Sequence, residues 1–179
     1  MLPIVIPPSY RGVNIRAVSF PRDINDLIEI HIKNDYGPSS SLQPGTKAIE
    51  RFYRMFLDWS PFGAYLLSYY GKTVLLLELI PIDSSDAGNF YRPEPYDHFI
   101  GIKPAIEEDE LIEVLPALFA GVEGIFEANP GIHRLIFSLR YSQPGNSLRI
   151  LLEQAGFFIL KDQLDQESPV IYARERRYL

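Results

Sequence analysis

Cysteine is absent from the 179 residues, and with it every disulfide framework, thiolate nucleophile and cysteine-bound metal. Histidine is scarce: His31, His98 and His133 are the three in the chain, too dispersed to form a metal-ligand motif, so no metal is expected. No apolar run approaches the ~20 residues of a membrane span. The opening MLPIVIPPSYR is too short and too proline-rich to read as a signal peptide. An excess of positive charge is also missing. The formal net charge is −6, so the chain lacks the basic field that nucleic-acid phosphates require, and Arg174, Arg176 and Arg177 read as a solvated tail. Neither a G-x-S-x-G nor a Walker-type sequence occurs. These absences predict a soluble, cytoplasmic protein with no nucleic-acid or membrane partner. A homodimer stays open.

What is present is an ordinary globular composition, 46% apolar and 22% charged, in a length suited to one domain over residues 1–179. Eleven Tyr and eleven Phe favour strands and ring-lined surfaces.

Residues 14–18 read as a strand. Pro21 and Asp23 then open a helix with Ile24, Leu27, Ile28 and Ile32 at helical spacing, ended by Gly37 and Pro38. Thr46 is an N-cap for a second helix burying Ile49, Phe52, Tyr53 and Phe56. Residues 64–70 and 73–81 form a hairpin about Gly71 and Lys72, and a loop over 83–95 leads to a strand at 97–103 (DHFIGIK). A helix over 110–126 presents Leu111, Val114, Leu115, Leu118, Val122 and Phe126 to the core. Pro116 predicts a kink or a late start in it. A strand at 133–140 (HRLIFSLR) follows. A short helix then carries Leu148, Leu151, Leu152 and Ala155, with Gly156 as its C-cap, before strands at 157–161 and 169–174. The order β-αα-βββ-α-β-α-ββ predicts an α/β fold: a mixed seven-stranded sheet with helices on both faces. The strands at 97–103 and 133–140 should lie parallel and adjacent, with the 110–126 helix as their crossover.

This order, together with NSLRILLEQAGF at residues 146–157, resembles the GNAT acyl-CoA N-acyltransferases, in which an Asn begins a helix and a Gly-Phe pair begins the next strand. HFIGIKP at 98–104 and Leu152 are most similar to the subgroup that acylates hydroxylamines in siderophore synthesis. The resemblance implies a transfer from acetyl-CoA or another acyl-CoA to a small-molecule amine or hydroxylamine. It also implies a histidine, here His98, on the substrate side. Two departures stand out. The family holds the CoA pyrophosphate on a glycine-rich [QR]xxGxG loop, where backbone N–H groups and a helix dipole make an anion site; here residues 105–110 read AIEEDE. The family's aspartate near the Asn is missing as well, with Ser142 nearest its place.

Acylating an amine requires a proton acceptor for the nucleophile and a donor for the carbonyl oxygen. His98 is the candidate base. Asp97 points to the opposite face of the strand and is not expected to orient it. The backbone of Gly101, Ile102 and Lys103 is expected to line the pantetheine arm. Asn146 either holds a cofactor amide or caps the short helix. Tyr96 and Tyr141, with Tyr91, are candidate substrate-lining phenols or core residues. Glu107, Glu108, Asp109 and Glu110 either form a solvated first turn, stabilised by the helix dipole at ~0.3–1 kcal/mol each, or repel a pyrophosphate. A rival reading follows from that run: a GNAT-like ligand- or protein-binding module without the cofactor loop.

Overall fold

A computed structural model describes residues 9–10, 12–31, 34, 47, 51, 63–80, 91–139, 147–162 and 169–177. Eight strands form one sheet: β1 (Ser9–Tyr10), β2 (Val13–Ala17), β3 (Ala64–Tyr69), β4 (Lys72–Ile80), β5 (Asp97–Pro104), β6 (Arg134–Leu139), β7 (Phe158–Lys161) and β8 (Val170–Glu175). Their spatial order is β1-β2-β3-β4-β5-β6-β8-β7. The seven expected strands are all present, and the two-residue β1 adds an eighth at one edge by pairing antiparallel with β2. Neighbours are antiparallel throughout except β5 and β6, which are parallel and adjacent as expected. The helices are α1 (Ile24–His31), α2 (Val114–Ala128) and α3 (Ser147–Gln154). The helix expected after Thr46 lies outside the described residues apart from Lys47 and Arg51, as does most of the 83–95 loop.

The sheet buries both faces. Leu75, Leu77, Leu79, Ile100 and Ile102 cluster with Val114, Ala117, Leu118 and Ile125 of α2 and with Leu151 and Leu152 of α3. On the other face, Ala64, Leu66 and Leu76 cluster with Leu27 and Ile30 of α1. Each large side chain so buried contributes about 1.5–3 kcal/mol. Because both faces are covered, β4 is a nearly continuous apolar run instead of an alternating one.

Three local details differ from the sequence-based expectation. The β3–β4 turn is centred on Tyr70 and Gly71, both at positive φ, so Lys72 already belongs to the strand; two positive φ values match the twist of a two-residue hairpin. The helix expected from residue 110 divides into a 3₁₀ segment, Glu108–Glu113, and α2 proper. Pro116 then falls in the first turn of α2, where its missing N–H removes no helical bond. Of the basic end expected to be a solvated tail, Arg177 is exposed, but Arg174 and Arg176 are not solvated. Arg174 is buried in β8 and donates to Glu123 Oε1 at 2.7 Å and to the Ala155 carbonyl at 3.1 Å. Arg176 donates to the carbonyls of Phe126, Asn129 and Ile132. Its guanidinium satisfies acceptors that the end of α2 leaves exposed.

Candidate functional site

The parallel ladder between β5 and β6 is short. It pairs Asp97 with Arg134, His98 with Leu135 and Phe99 with Ile136. Beyond those pairs β5 continues to Pro104 along β4, while β6 continues to Leu139 along β8. Among the described residues the two strands therefore separate after Phe99, and a wedge opens toward their carboxyl ends. The Ala105 N–H donates to the Val74 carbonyl at 3.0 Å, which fixes the phase of the β4–β5 ladder. Alternation then turns the amides of Gly101 and Lys103 toward β4 and those of Ile100 and Ile102 to the other side, where the Phe99–Ile136 pairing engages the Ile100 N–H and leaves Ile102 facing the wedge. Of the three residues expected to line a pantetheine arm, Ile102 presents its main chain there. Gly101 and Lys103 instead lie, by side-chain direction, on the α1 face.

The closed end of the wedge is clamped. Arg134 donates to Asp97 Oδ1 at 2.6 Å and Oδ2 at 3.1 Å, and to the Tyr91 hydroxyl at 3.0 Å, with Glu94 Oε2 at 3.3 Å. The Asp97 side chain is fully buried, and its carboxylate also accepts the Glu94 N–H at 2.7 Å. The Asp97 hydrogen bonds push the Arg134 guanidinium above its ordinary value, against the opposing effect of burial. Tyr91 therefore serves this clamp, and its phenol is pushed up by burial and then by the Asp97 charge.

His98 sits within the closed part of the ladder, on the α2 face. It is half-buried, with Nδ1 3.1 Å from the Tyr96 carbonyl oxygen. Asp97 points away from it to Arg134, in line with the alternation of the strand. Tyr96 is 49% exposed, and its ring meets His133 edge-on at 6.1 Å. Tyr141 and Asn146 lie outside the described residues, as does Ser142.

The open end of the wedge meets the acidic run. Glu108 and Asp109 fall in the 3₁₀ segment, whose preceding residue Glu107 makes no side-chain cap. The Glu110 N–H is spent on the Glu107 carbonyl. Lys72 Nζ holds Glu110 Oε1 at 2.8 Å, a bond that raises the lysine's pKa, and the Ser147 hydroxyl donates to Glu108 Oε1 at 3.0 Å. Those contacts organise the turn but leave its charge negative, and residues 105–110 contain no glycine.

One cluster was not foreseen. Glu78 of β4 is 5% exposed and stands opposite Gly101 in the β4–β5 register. Its Oε1 lies 3.8 Å from His31 Nε2 at the end of α1, and its Oε2 lies 4.0 Å from Lys103 Nζ. A Cβ on Gly101 would come within 2.9 Å of Glu78 Oε2, so the carboxylate leans over β5 where only glycine leaves room. The signal was in the sequence: a lone acid in the strand TVLLLELI, where burying a charge without partners is costly. Among the described residues no group of three or more His, Cys, Asp or Glu is placed to hold a metal ion. No described helix is long and apolar enough to cross a membrane.

A parallel strand pair that splays past its first residues, inside a mixed sheet of this order with helices on both faces, is the GNAT acyltransferase fold. No family model matches the sequence, and no curated protein matches it. Solved structures do. An uncharacterised protein of Bacillus halodurans superposes with a TM-score of 0.72 at 16% identity, covering 91% of this chain and 83% of that one. The aminoglycoside acetyltransferase AAC(6')-Ib in complex with coenzyme A gives 0.70 at 18% identity, over 92% of this chain and 95% of that one. RimL, the ribosomal L7/L12 alpha-N-protein acetyltransferase in complex with coenzyme A, gives 0.59 at 15% identity, over 95% and 97%.

Proposed function

We propose that this chain, as a single domain, is an acyl-CoA-dependent N-acyltransferase acting on a small amine or hydroxylamine. The wedge carries this reading. The outward Ile100 carbonyl and the main chain of Ile102 have the acceptor and donor pattern of a strand edge, which matches the amide groups of a pantetheine arm. An arm bound there would bring a thioester to the point where the strands part, beside Phe99 and Ile136. The two coenzyme A-bound acetyltransferases that share the fold are consistent with that use. When bound, the donor supplies an activated acyl carbon. The chain supplies the edge that orients it, an apolar lining that excludes water, and a proton acceptor.

The pantetheine part of the donor fits; its diphosphate meets four acids and no glycine at residues 105–110, and the Glu110 N–H is already bonded. The same acidic turn favours the second reading, a GNAT-fold binding module. His98 and the segments 98–104 and 146–157 support the enzyme and its likeness to hydroxylamine acylation. His98 is the acceptor suggested by sequence, and Glu78 is a second suggested by geometry.

The deciding measurement is thiol release. Purified protein is mixed with acetyl-CoA, or with uncharged S-acetyl-pantetheine, and with a set of small amines and hydroxylamines. Acceptor-dependent release above the uncatalysed rate supports the enzyme. Absence of release with either donor, at millimolar concentrations of both substrates, sinks it in favour of the binding module.

A further inference from the structure

A donor arm laid along β5 has a fixed reach. From its sulfur to its terminal oxygen a pantetheine is a chain of about twelve bonds, as many as four residues of extended backbone, so it spans roughly 13–14 Å. With the thioester at Phe99, where pairing with β6 ends, the terminal oxygen arrives beside the main chain of Lys103 and Pro104, the last residues of β5. Whatever follows that oxygen meets the turn at 105–110, where Glu107, Glu108 and Asp109 are exposed. In coenzyme A the continuation is a diphosphate and a ribose phosphate, roughly four negative charges at neutral pH. In a phosphopantetheine esterified to a serine it is a single charged phosphodiester and then a protein surface. The elements at this mouth also present apolar side chains to solvent. Ile112, in the 3₁₀ segment, is 65% exposed, and Tyr70, at the β3–β4 turn, is 90% exposed. These are the two most exposed large apolar side chains among the described residues. Lys72 ties the turn to the segment through Glu110, so both stand at one end of the molecule, and the Tyr69 ring packs on that of Tyr70 at 4.4 Å. Exposed rings and aliphatic groups interleaved with charge have the composition of a docking surface.

Resting on the acyltransferase reading, we propose that the donor is an acyl-pantetheine carried on a serine of a carrier protein, which docks at the mouth of the wedge. Its apolar side chains seat on Ile112 and Tyr70, and its cations face Glu107, Glu108 and Asp109. The tether replaces roughly four phosphate charges by one. Lysine or arginine beside the carrier's serine then makes the remaining field attractive, where the nucleotide end of coenzyme A meets only repulsion. In the transfer, a neutral acceptor nitrogen bonds to the thioester carbon, the C–S bond breaks, and the proton that the nitrogen loses ends on the sulfur. The products are an amide and the carrier's free thiol.

The test measures donor binding to the full chain by fluorescence anisotropy. The probe is a dye-labelled peptide, rich in lysine and leucine, whose central serine carries S-acetyl-phosphopantetheine. At low salt it should bind ~10-fold or more tighter than S-acetyl-pantetheine, the gain expected of a few exposed ion pairs and apolar contacts, and tighter still than acetyl-CoA. The same peptide with its serine unmodified should bind ~10-fold or more weakly than the conjugate, since it lacks the linked arm. Excess S-acetyl-pantetheine should displace the conjugate. A glutamate-rich conjugate should bind less well than S-acetyl-pantetheine. Ile112→Ser combined with Tyr70→Asn, at two largely exposed positions, should lower conjugate affinity by ~10-fold or more and leave that of S-acetyl-pantetheine unchanged. Conjugate affinity that survives both substitutions overturns the docking surface. Equal affinity of the lysine conjugate and S-acetyl-pantetheine also overturns it, and makes a free pantetheine thioester the donor. Acetyl-CoA binding tighter than the conjugate overturns the proposal and leaves the acyltransferase reading standing. Absence of binding by every pantetheine probe sinks both.

Discussion

At the scale of single residues, polar groups inside this sheet divide into those that are matched and those that are not. Asp23 is matched. Burial pushes its carboxyl up, but Arg16, the Ser19 N–H and Arg22 together outweigh burial and hold it below its ordinary value. Tyr172 is unmatched: its hydroxyl is buried with no hydrogen-bond partner among the described residues, and burial pushes its pKa up. An unsatisfied buried hydroxyl costs ~1–3 kcal/mol. Tyr172→Phe should therefore stabilise the protein by about 1 kcal/mol and raise the thermal midpoint by ~2–4 °C. A lowered midpoint in a calorimetric scan would mean that the hydroxyl is bonded after all. Glu78 shows why a buried polar cluster escapes a reading of sequence. Its position in an apolar strand marks it as unusual, but its neighbours His31 and Lys103 stand 47 and 25 positions away in the chain. Only the register of β4 against β5 and the docking of α1 bring the three together.

At the scale of elements, strands and helices were legible because their apolar periodicity is strong and their ends are marked by Gly, Pro and Asp. Pro116 announced a kink or a late helix start, and the second is what occurs, with α2 beginning at Val114. The intervening 3₁₀ segment was not legible, since four consecutive acids fit an α-helical first turn equally well. Nor was the splay of β5 from β6: DHFIGIK and HRLIFSLR read as strands throughout, and no residue declares where their ladder ends. What holds the ladder closed is Asp97 with Arg134. Removing one partner of a buried ion pair costs ~3–5 kcal/mol, because the other charge is left uncompensated. Glu94 lies 3.3 Å from Arg134 but is half exposed, so Asp97→Asn should fall near the lower end of that range. Hydrogen exchange gives a more specific check than a melt. Amides of His98 and Ile136, which face each other's strand in the β5–β6 ladder, should lose protection in Asp97→Asn before those of Leu75 and Leu77 in the β4 ladder. Uniform loss across the sheet would show that the pair stabilises the whole fold and not the closed end of the wedge.

At the scale of the whole molecule, charge decides what donor the wedge can take. The chain carries a net −6, and Glu107, Glu108, Asp109 and Glu110 stand where the wedge opens, with Lys72 already committed to Glu110. Lys103 does not offset that charge, since it faces Glu78 on the other side of the sheet. Two like charges ~4 Å apart at an effective dielectric of ~20 repel by about 4 kcal/mol, or close to three orders of magnitude in Kd. Acetyl-CoA should therefore bind with a Kd above ~100 μM at low salt, on the same electrostatic argument. The sign of the salt dependence is the sharper prediction. Raising ionic strength from ~0.01 M to ~0.1 M shortens the screening length from ~30 Å to ~10 Å, which weakens a repulsion and so tightens binding of the anionic donor. A basic or N–H-lined phosphate site would give the opposite trend. Uncharged S-acetyl-pantetheine should bind with an affinity independent of salt, and replacing Glu107, Glu108 and Asp109 by Gln should bring acetyl-CoA into line with it. Calorimetric titration of both donors at the two ionic strengths separates the cases. Micromolar binding of acetyl-CoA that weakens as salt is added would show that the turn folds its carboxylates away and offers its backbone to the diphosphate.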